Sequence, residues 1–256
     1  MITKVVVAAA GQGTRMLHLS QDKSKHLICV KDRPFLAYLM DNLISAGYSD
    51  IILVVGFKKE LMNGFKEDFL MCSTAVKNSK EKVKIEIVDQ HEILGPKEKE
   101  YGTACPIKCV KDIVGKDDFI YVYGDNLFSV ADLKSMNIND EFCYIAGLKQ
   151  EHPEKYGVLI EDGGDFLEEI IEKPKEFVGD LINAGLYKFT SEVFKKISKI
   201  KKSPRGEYEI TDVITLLSKE RRVKIKKIKD YWHDFGNPAD IEKLTEFIEN
   251  GCKKSR

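Results

Sequence analysis

Three consecutive valines, Val5 to Val7, run into Ala8-Ala9-Ala10-Gly11-Gln12-Gly13-Thr14-Arg15, and Lys25 follows ten residues after the arginine. A buried-strand pattern that ends in a glycine-spaced loop and then supplies two cations suits a phosphate chain. Gly11 and Gly13 can take positive φ and carry no Cβ, so successive backbone N–H groups can turn toward one oxyanion while Arg15 and Lys25 neutralise its charge. Glycine spacing alone also describes an ordinary tight turn. Two better-defined phosphate loops do not fit: no Lys-Ser or Lys-Thr follows a glycine at P-loop spacing, and the third glycine position of a dinucleotide turn is Leu17. A carboxylate able to face these cations ends a second apolar run, Tyr121-Val122-Tyr123-Gly124-Asp125. An unpaired charge there would be costly, so Asp125 either meets a cation or serves as a helix cap. A further acidic residue, Asp234, stands in Trp232-His233-Asp234-Phe235-Gly236-Asn237-Pro238. Gln90, behind the strand pattern Ile85 to Asp89, is either an ordinary surface glutamine or a reader of a pyrimidine. Its amide matches the N3–H and O4 edge of uracil or thymine, and flipped it also fits cytosine. Gly102 permits close approach of backbone to a base.

The elements that would position these groups follow from hydrophobic periodicity. Apolar runs at Val5 to Ala8, Ile51 to Val55, Val83 to Val88 and Phe119 to Tyr123 alternate with helical patterns at Phe35 to Ala46, Glu60 to Leu70 and Ala104 to Val114. That alternation predicts a mainly parallel, Rossmann-like α/β sheet flanked by helices. Ligands of such sheets bind beyond the carboxyl ends of strands, where both Gly11 to Arg15 and Gly124-Asp125 fall. After Asp125 the strands become shorter and more alternating, at Cys143 to Leu148, Gly157 to Glu161, Phe166 to Glu172 and Leu181 to Phe189, with a hairpin turn at Asp162-Gly163-Gly164-Asp165. This half is expected to complete the sheet edge and form a smaller antiparallel lobe, followed by helices at Ser191 to Ile200, Ile210 to Glu220 and Pro238 to Asn250, the last capped by Asn237. No repeat or linker is visible. We expect one domain over 1–250, with halves 1–125 and 126–237, a C-terminal helix 238–250 and a tail 251–256.

At 256 residues the chain can bury a core without staples, and 41 Lys plus Arg balance 41 Asp plus Glu, which gives no reason to expect a nucleic-acid or anionic-membrane partner. The basic runs at Lys195-Lys196, Lys199 to Lys202 and Lys224 to Lys229 read as solvated faces of a helix or strand. No apolar run is long enough to span a bilayer and the N-terminus enters a strand directly, so a cytoplasmic location is expected. The six cysteines lack a zinc-site pattern and read as reduced, mostly buried thiols.

Taken in order, these segments resemble the sugar-1-phosphate nucleotidylyltransferases, in particular the glucose-1-phosphate uridylyl- and thymidylyltransferases. Ala10-Gly11-Gln12-Gly13-Thr14-Arg15-Met16 and Ser24-Lys25-His26-Leu27 match the opening motif, with His18 and Ser24 where prolines are usual. Further matches are Gly102-Thr103-Ala104, Gly124-Asp125, Tyr156-Gly157-Val158, Glu172-Lys173-Pro174, Asn183-Ala184-Gly185-Leu186-Tyr187 and the segment around Asp234. The resemblance implies the nucleotide-diphospho-sugar transferase fold, with Ala9, Ala10, Gly11, Gly13, Thr14, Gln90, Gly102 and Thr103 at the nucleotide. It also implies Arg15, Lys25, Asp125 and Asp234 as catalytic groups, Mg²⁺ on Asp125 and Asp234, and Gly157, Glu172, Lys173 and Asn183 at the sugar phosphate. The implied reaction joins a nucleoside triphosphate (UTP or dTTP) to a sugar 1-phosphate, glucose 1-phosphate first, and releases pyrophosphate. Two alternatives stay open: a cytidylyltransferase with another phosphorylated acceptor, and a non-catalytic sensor of nucleotide sugars. Arg205-Gly206-Glu207-Tyr208-Glu209-Ile210-Thr211-Asp212 also resembles a family segment but reads as a helix start. The sequence leaves room for a homo-oligomer, and the short tail after Asn250 gives no reason to expect a second activity.

Overall fold

The computed structural model describes every residue except Gln12, Gln21, Phe57, Glu98, Ser255 and Arg256, and the side chains of Thr14, Leu17, Cys252, Lys253 and Lys254 are likewise outside the description. The expected contact of the Thr14 hydroxyl therefore lies outside the described residues.

The valine run becomes the central strand Lys4–Ala9, with Asp50–Val55 on one side and Phe119–Tyr123 on the other, and Lys84–Asp89 beyond Asp50–Val55, all parallel. Continuous apolar sequence is needed in the three inner strands because both their faces are buried, whereas the edge strand Lys84–Asp89 alternates, with Lys84 and Glu86 exposed. Val5, Val7, Ile51, Leu53, Val55, Ile120 and Val122 enter one core, and Val6, Ile52, Val54, Phe119 and Tyr121 enter the other. The helix Phe35–Ser45 covers the first core with Phe35, Leu36, Leu39, Met40 and Leu43. Ile210–Ser218 covers the second with Ile210, Val213, Ile214 and Leu217, at helical spacing.

The first two crossovers run outward from Lys4–Ala9 to Asp50–Val55 and Lys84–Asp89, and the chain then returns to place Phe119–Tyr123 on the other flank. The strand order therefore reverses beside Lys4–Ala9. The crevice at such a reversal opens at the strands' carboxyl ends, where Gly124 N donates to Ala8 O at 2.9 Å.

Leu181–Phe189 continues the sheet antiparallel to Phe119–Tyr123, and also pairs with Cys143–Lys149 and Gly157–Glu161. The hairpin of Gly157–Glu161 and Leu167–Glu172 forms as expected, with Asp165 at φ 59° in its turn. Val223–Lys227 pairs with Cys143–Lys149, and its Ile225 N donates to Asp165 O at 2.7 Å, so five strands come round almost to closure. The basic run at Lys224 thus belongs to a strand whose Val223 and Ile225 point inward. Lys199 to Lys202, by contrast, lie outside any helix or strand.

Three boundaries differ from expectation. The pattern Ala104 to Val114 splits into Cys105–Cys109 and Lys111–Val114 at Val110 (φ −106°, ψ 5°), and Val193–Ile197 is shorter than Ser191 to Ile200. Ala239–Lys254 runs beyond Asn250, with Asn237 Oδ1 accepting from Ala239 N at 3.1 Å. A separate two-stranded ribbon, Asn126–Phe128 with Trp232–Asp234, stands beside the sheet. Among the described residues no helix is long and apolar enough to cross a membrane. Cys105, Cys109 and Cys143 are buried, whereas Cys29 and Cys72 are exposed, and all five are free thiols.

Candidate active site

A cleft of about 320 Å³ opens at the strand reversal. Its walls include Ala10, Gly11, Arg15, Lys25, Gln90, Gly102, Thr103, Asp125, Asn183 and Asp234. Ala9, Gly13, Gly157, Glu172 and Lys173 are not on its surface.

At one end the charged groups pair with one another. Lys25 opens a short 3₁₀ turn, Lys25–Leu27, that places its ammonium against Asp125, to whose Oδ2 it donates a hydrogen bond. Gly13 accounts for how close that lysine lies. It has φ 66°, and a Cβ there would fall 2.7 Å from Lys25 Cβ. Gly11 does not take positive φ, and a Cβ on it would meet only Lys25 Cε at 3.7 Å, so the conformational freedom of the loop is used at Gly13. His26 is buried beside the pair with Nδ1 2.8 Å from Ser24 Oγ. Burial first, then the Lys25 charge, lowers its pKa to about 3, only partly opposed by Asp125, so the ring is neutral.

The ribbon brings in the second aspartate. Asp234 pairs with Asn126 in register, and Phe235 N donates to Asp125 O at 2.8 Å, so residues from two distant segments become neighbours. Burial works to raise the Asp125 carboxyl, but the charge of Lys25 and the hydrogen bond it donates outweigh it and hold the group below the usual range. Asp234 is pushed up to about 6 by burial and then by the Asp125 charge, with Lys25 and Arg15 pulling it back. Arg15 lies over Gly236, where a Cβ would sit 3.2 Å from Arg15 Nη2 and 3.3 Å from Asp234 Oδ2. Two neighbouring carboxylates, one raised by the other and one already accepting an ammonium, have the chemistry of a divalent-cation site. Among the described residues no group of three or more His, Cys, Asp or Glu could hold a metal, so phosphate or water oxygens would have to complete such a site.

Elsewhere the cleft holds neutral groups. Gln90 opens the helix Gln90–Leu94, capped by Asp89, and is 1% exposed with no partner for Oε1 among the described residues. Gly102 has φ 129°, and a Cβ would lie 2.3 Å from Tyr208 O, so this glycine is required by the neighbouring backbone. Thr103 Oγ1 accepts from Ile210 N at 2.9 Å and donates to Glu209 Oε2 at 3.2 Å. The segment Arg205 to Asp212 therefore holds the Gly102-Thr103 wall as well as starting a helix, and its Glu207 faces the cleft.

At the other end, the irregularity between Asn183 and Tyr187 turns Asn183 and Gly185 to the cleft, with Gly185 at φ 77° beneath Tyr123. Glu172 pairs with Gly157, on which a Cβ would sit 3.0 Å from Glu172 Oε2. Lys173 is exposed at φ 46°. Asn126, Tyr156 and Trp232 also line this end, Tyr156 and Trp232 meeting edge to face at 5.7 Å. Asn126 Oδ1 and Trp232 Nε1 are buried without a partner among the described residues. Sequence reasoning passed over Asn126 and His26, although both adjoin residues it had singled out.

A family model described as nucleotidyl transferase matches residues 4–251. The chain belongs to the nucleotidyl transferase family. It is 33% identical over 242 residues to a bifunctional sugar-1-phosphate nucleotidylyltransferase/acetyltransferase of Sulfurisphaera tokodaii, covering 93% of this chain and 53% of that protein. It is 29% identical over 252 residues to the UTP–glucose-1-phosphate uridylyltransferase AglF of Haloferax volcanii, covering 96% of both. The chain thus spans about half the length of the bifunctional relative. A UDP-glucose pyrophosphorylase solved with UDP-glucose shares the fold, with a TM-score of 0.80 at 23% identity and 100% coverage of both chains.

Proposed function

We propose that this chain transfers a nucleotidyl group from UTP or dTTP to a sugar 1-phosphate, glucose 1-phosphate foremost, releasing pyrophosphate. The observation that carries this reading is the meeting of Arg15, Lys25, Asp125 and Asp234, from four separate segments, in one cleft at the strand reversal. The names of the Sulfurisphaera and Haloferax relatives support the same class of reaction.

In this reading a sugar-phosphate oxygen attacks the α-phosphorus, the bond from that phosphorus to the bridging oxygen breaks, and pyrophosphate leaves. The nucleophile is already ionised, so no protein base is needed. The protein's work is to hold two repelling anions in line and stabilise developing charge. Arg15 takes the departing pyrophosphate, and Lys25 exchanges Asp125 for the α-phosphate. Asp125 and Asp234 would hold Mg²⁺, which when bound neutralises charge on the phosphoryl oxygens. The backbone of Ala10 and Gly11 cradles the phosphates, with Ala9 and Gly13 shaping the loop from behind, and the Gly102-Thr103 wall and Gln90 frame the base. Gln90 Oε1 is an acceptor in want of a donor, which N3–H of uracil or thymine provides. Asn183 contacts the sugar, Gly157 leaves room for the Glu172 carboxylate, and Glu172 and Lys173 reach the sugar's hydroxyls and phosphate from the rim. Asn126 and Trp232 join the sugar contacts, since hydroxyls would satisfy both buried atoms.

The test is a panel of UTP, dTTP, CTP, ATP and GTP with glucose 1-phosphate, followed by pyrophosphate release. The expected result is turnover with UTP or dTTP above the others. Preference for CTP or a purine would overturn the base assignment, and release with none of several sugar 1-phosphates would overturn the reaction.

A further inference from the structure

The turn that follows Asp234 is fastened to the final helix by one carboxylate. Asp240, in the first turn of Ala239–Lys254 and 8% exposed, accepts through Oδ2 from Gly236 N and from Asn237 N, both at 2.9 Å. Its Oδ1 also lies 3.6 Å from the ammonium of the exposed Lys243. Gly236 is the residue over which Arg15 lies, with Asp234 Oδ2 beside it. The floor beneath the turn is also fixed, since Phe235 stacks on Phe35 at 4.3 Å and 4°. The backbone from Asp234 to Asn237 is therefore held from two sides, and its open side carries a guanidinium and a carboxylate that share one seat.

We infer that Asp240 is a positioning residue for nucleotidyl transfer: by pinning the backbone of Gly236 and Asn237 it sets Arg15 and Asp234 relative to each other. Through it the docking of the C-terminal helix is coupled to the phosphate end of the cleft. The physical reason lies in what its loss would do. The buried N–H of Gly236 and the half-buried N–H of Asn237 would be left without an acceptor, a loss that a turn relieves by rotating its peptides toward water. The rotation displaces both the seat of Arg15 and the Cα of Asp234, and misplacement of supporting groups around charged sites typically costs 10- to 100-fold in affinity or activity. The inference rests on the proposed transfer reaction, in which Arg15 and Asp234 act together.

The experiment compares wild type with Asp240→Ala, Asp240→Asn and Ser73→Ala at a temperature well below every melting point. Ser73 caps the distant helix Thr74–Asn78 through Val76 N at 3.1 Å and donates to Asp41 Oδ1 at 2.6 Å, so its loss reports what removing a polar anchor away from the cleft does. Turnover of UTP and glucose 1-phosphate is measured together with Mn²⁺ binding, by electron paramagnetic resonance, to the protein with UTP. Asp240→Ala should lower kcat about tenfold and weaken Mn²⁺ binding severalfold. Asp240→Asn, which keeps an acceptor for the two N–H groups, should stay within about threefold of wild type, and Ser73→Ala should match wild type in both readouts. If Asp240→Ala lowers only the melting temperature, or if Asp240→Asn is as impaired as Asp240→Ala, the inference is overturned. An inactive wild type would instead overturn the transfer reaction, leaving the Mn²⁺ comparison to judge Asp240 alone.

Discussion

The two ends of the cleft, assigned in the proposed reaction to phosphate and to sugar, treat their polar groups in opposite ways. At the first of these, Lys25 is paired with Asp125, and the charges of Lys25 and Arg15 both act on Asp234, so the charges offset one another in the free protein. At the sugar end Asn126 Oδ1 and Trp232 Nε1 stand buried and unpartnered among the described residues, and Gln90 Oε1 does the same in the base wall. The difference follows from cost. A buried, unpaired charge is penalised far more than a buried neutral dipole, so charges must be compensated before substrate arrives while dipoles can wait for it. In the proposed reaction phosphate binding is then an exchange of partners, and recognition of sugar and base a net gain of hydrogen bonds.

The comparison breaks most visibly at Asp125. Asp125→Asn removes one side of the exchange, and steady-state turnover should fall by about two to three orders of magnitude while the circular dichroism spectrum is retained. Next in size is Gln90→Ala, expected to lower kcat/KM for the preferred pyrimidine nucleotide about tenfold or more and to narrow its preference over CTP. An unchanged preference would remove Gln90 from base recognition.

The two aspartates should also separate with pH. Asp125 is held below its usual range, so it stays ionised well into the acid region, whereas Asp234, raised from 3.8 to about 6, takes up a proton as the pH falls through 6. Since a cation needs the carboxylate, the Mg²⁺ concentration for half-maximal rate should rise roughly tenfold between pH 7 and pH 5. In the metal-free protein the signs are opposite. Asp234 favours folding most below pH 3.8 and loses that contribution as pH rises through about 6, while Asp125 contributes above its unfolded pKa and loses it in acid. Replacing Asp234 with Asn should therefore raise the metal-free melting temperature at pH 7 and have little effect at pH 4. The smallest effect belongs to the neutral end. Trp232→Phe keeps the ring packing but deletes Nε1–H, and should raise KM for the sugar phosphate severalfold with kcat little changed.

Much of this was legible in the sequence. The parallel strands were, because both faces of Val5 to Val7, Ile51 to Val55 and Phe119 to Tyr123 are buried and leave continuous apolar runs. So was the hairpin at Asp162 to Asp165, where two glycines allow the turn. The split at Val110 was not, since apolar periodicity persists through a break made by local backbone geometry. The ribbon Asn126–Phe128 with Trp232–Asp234 is too short to show a period, and its pairing joins segments about a hundred residues apart. Gly102 was legible as a close backbone approach, but the backbone approached in the free protein is that of Tyr208, which spacing does not reveal. The buried position of Gln90 depends on the capped helix it opens, a tertiary result that a lone polar residue cannot signal.

The central claim is that both aspartates and the two cations of the opening loop meet at one metal-bound triphosphate. It is tested most directly by Mn²⁺ binding with UTP present, read by electron paramagnetic resonance on wild type, Asp125→Asn and Asp234→Asn. Wild type should bind Mn²⁺ tightly only with UTP, and each substitution should weaken this binding about tenfold or more. Wild-type affinity in either variant would contradict that claim.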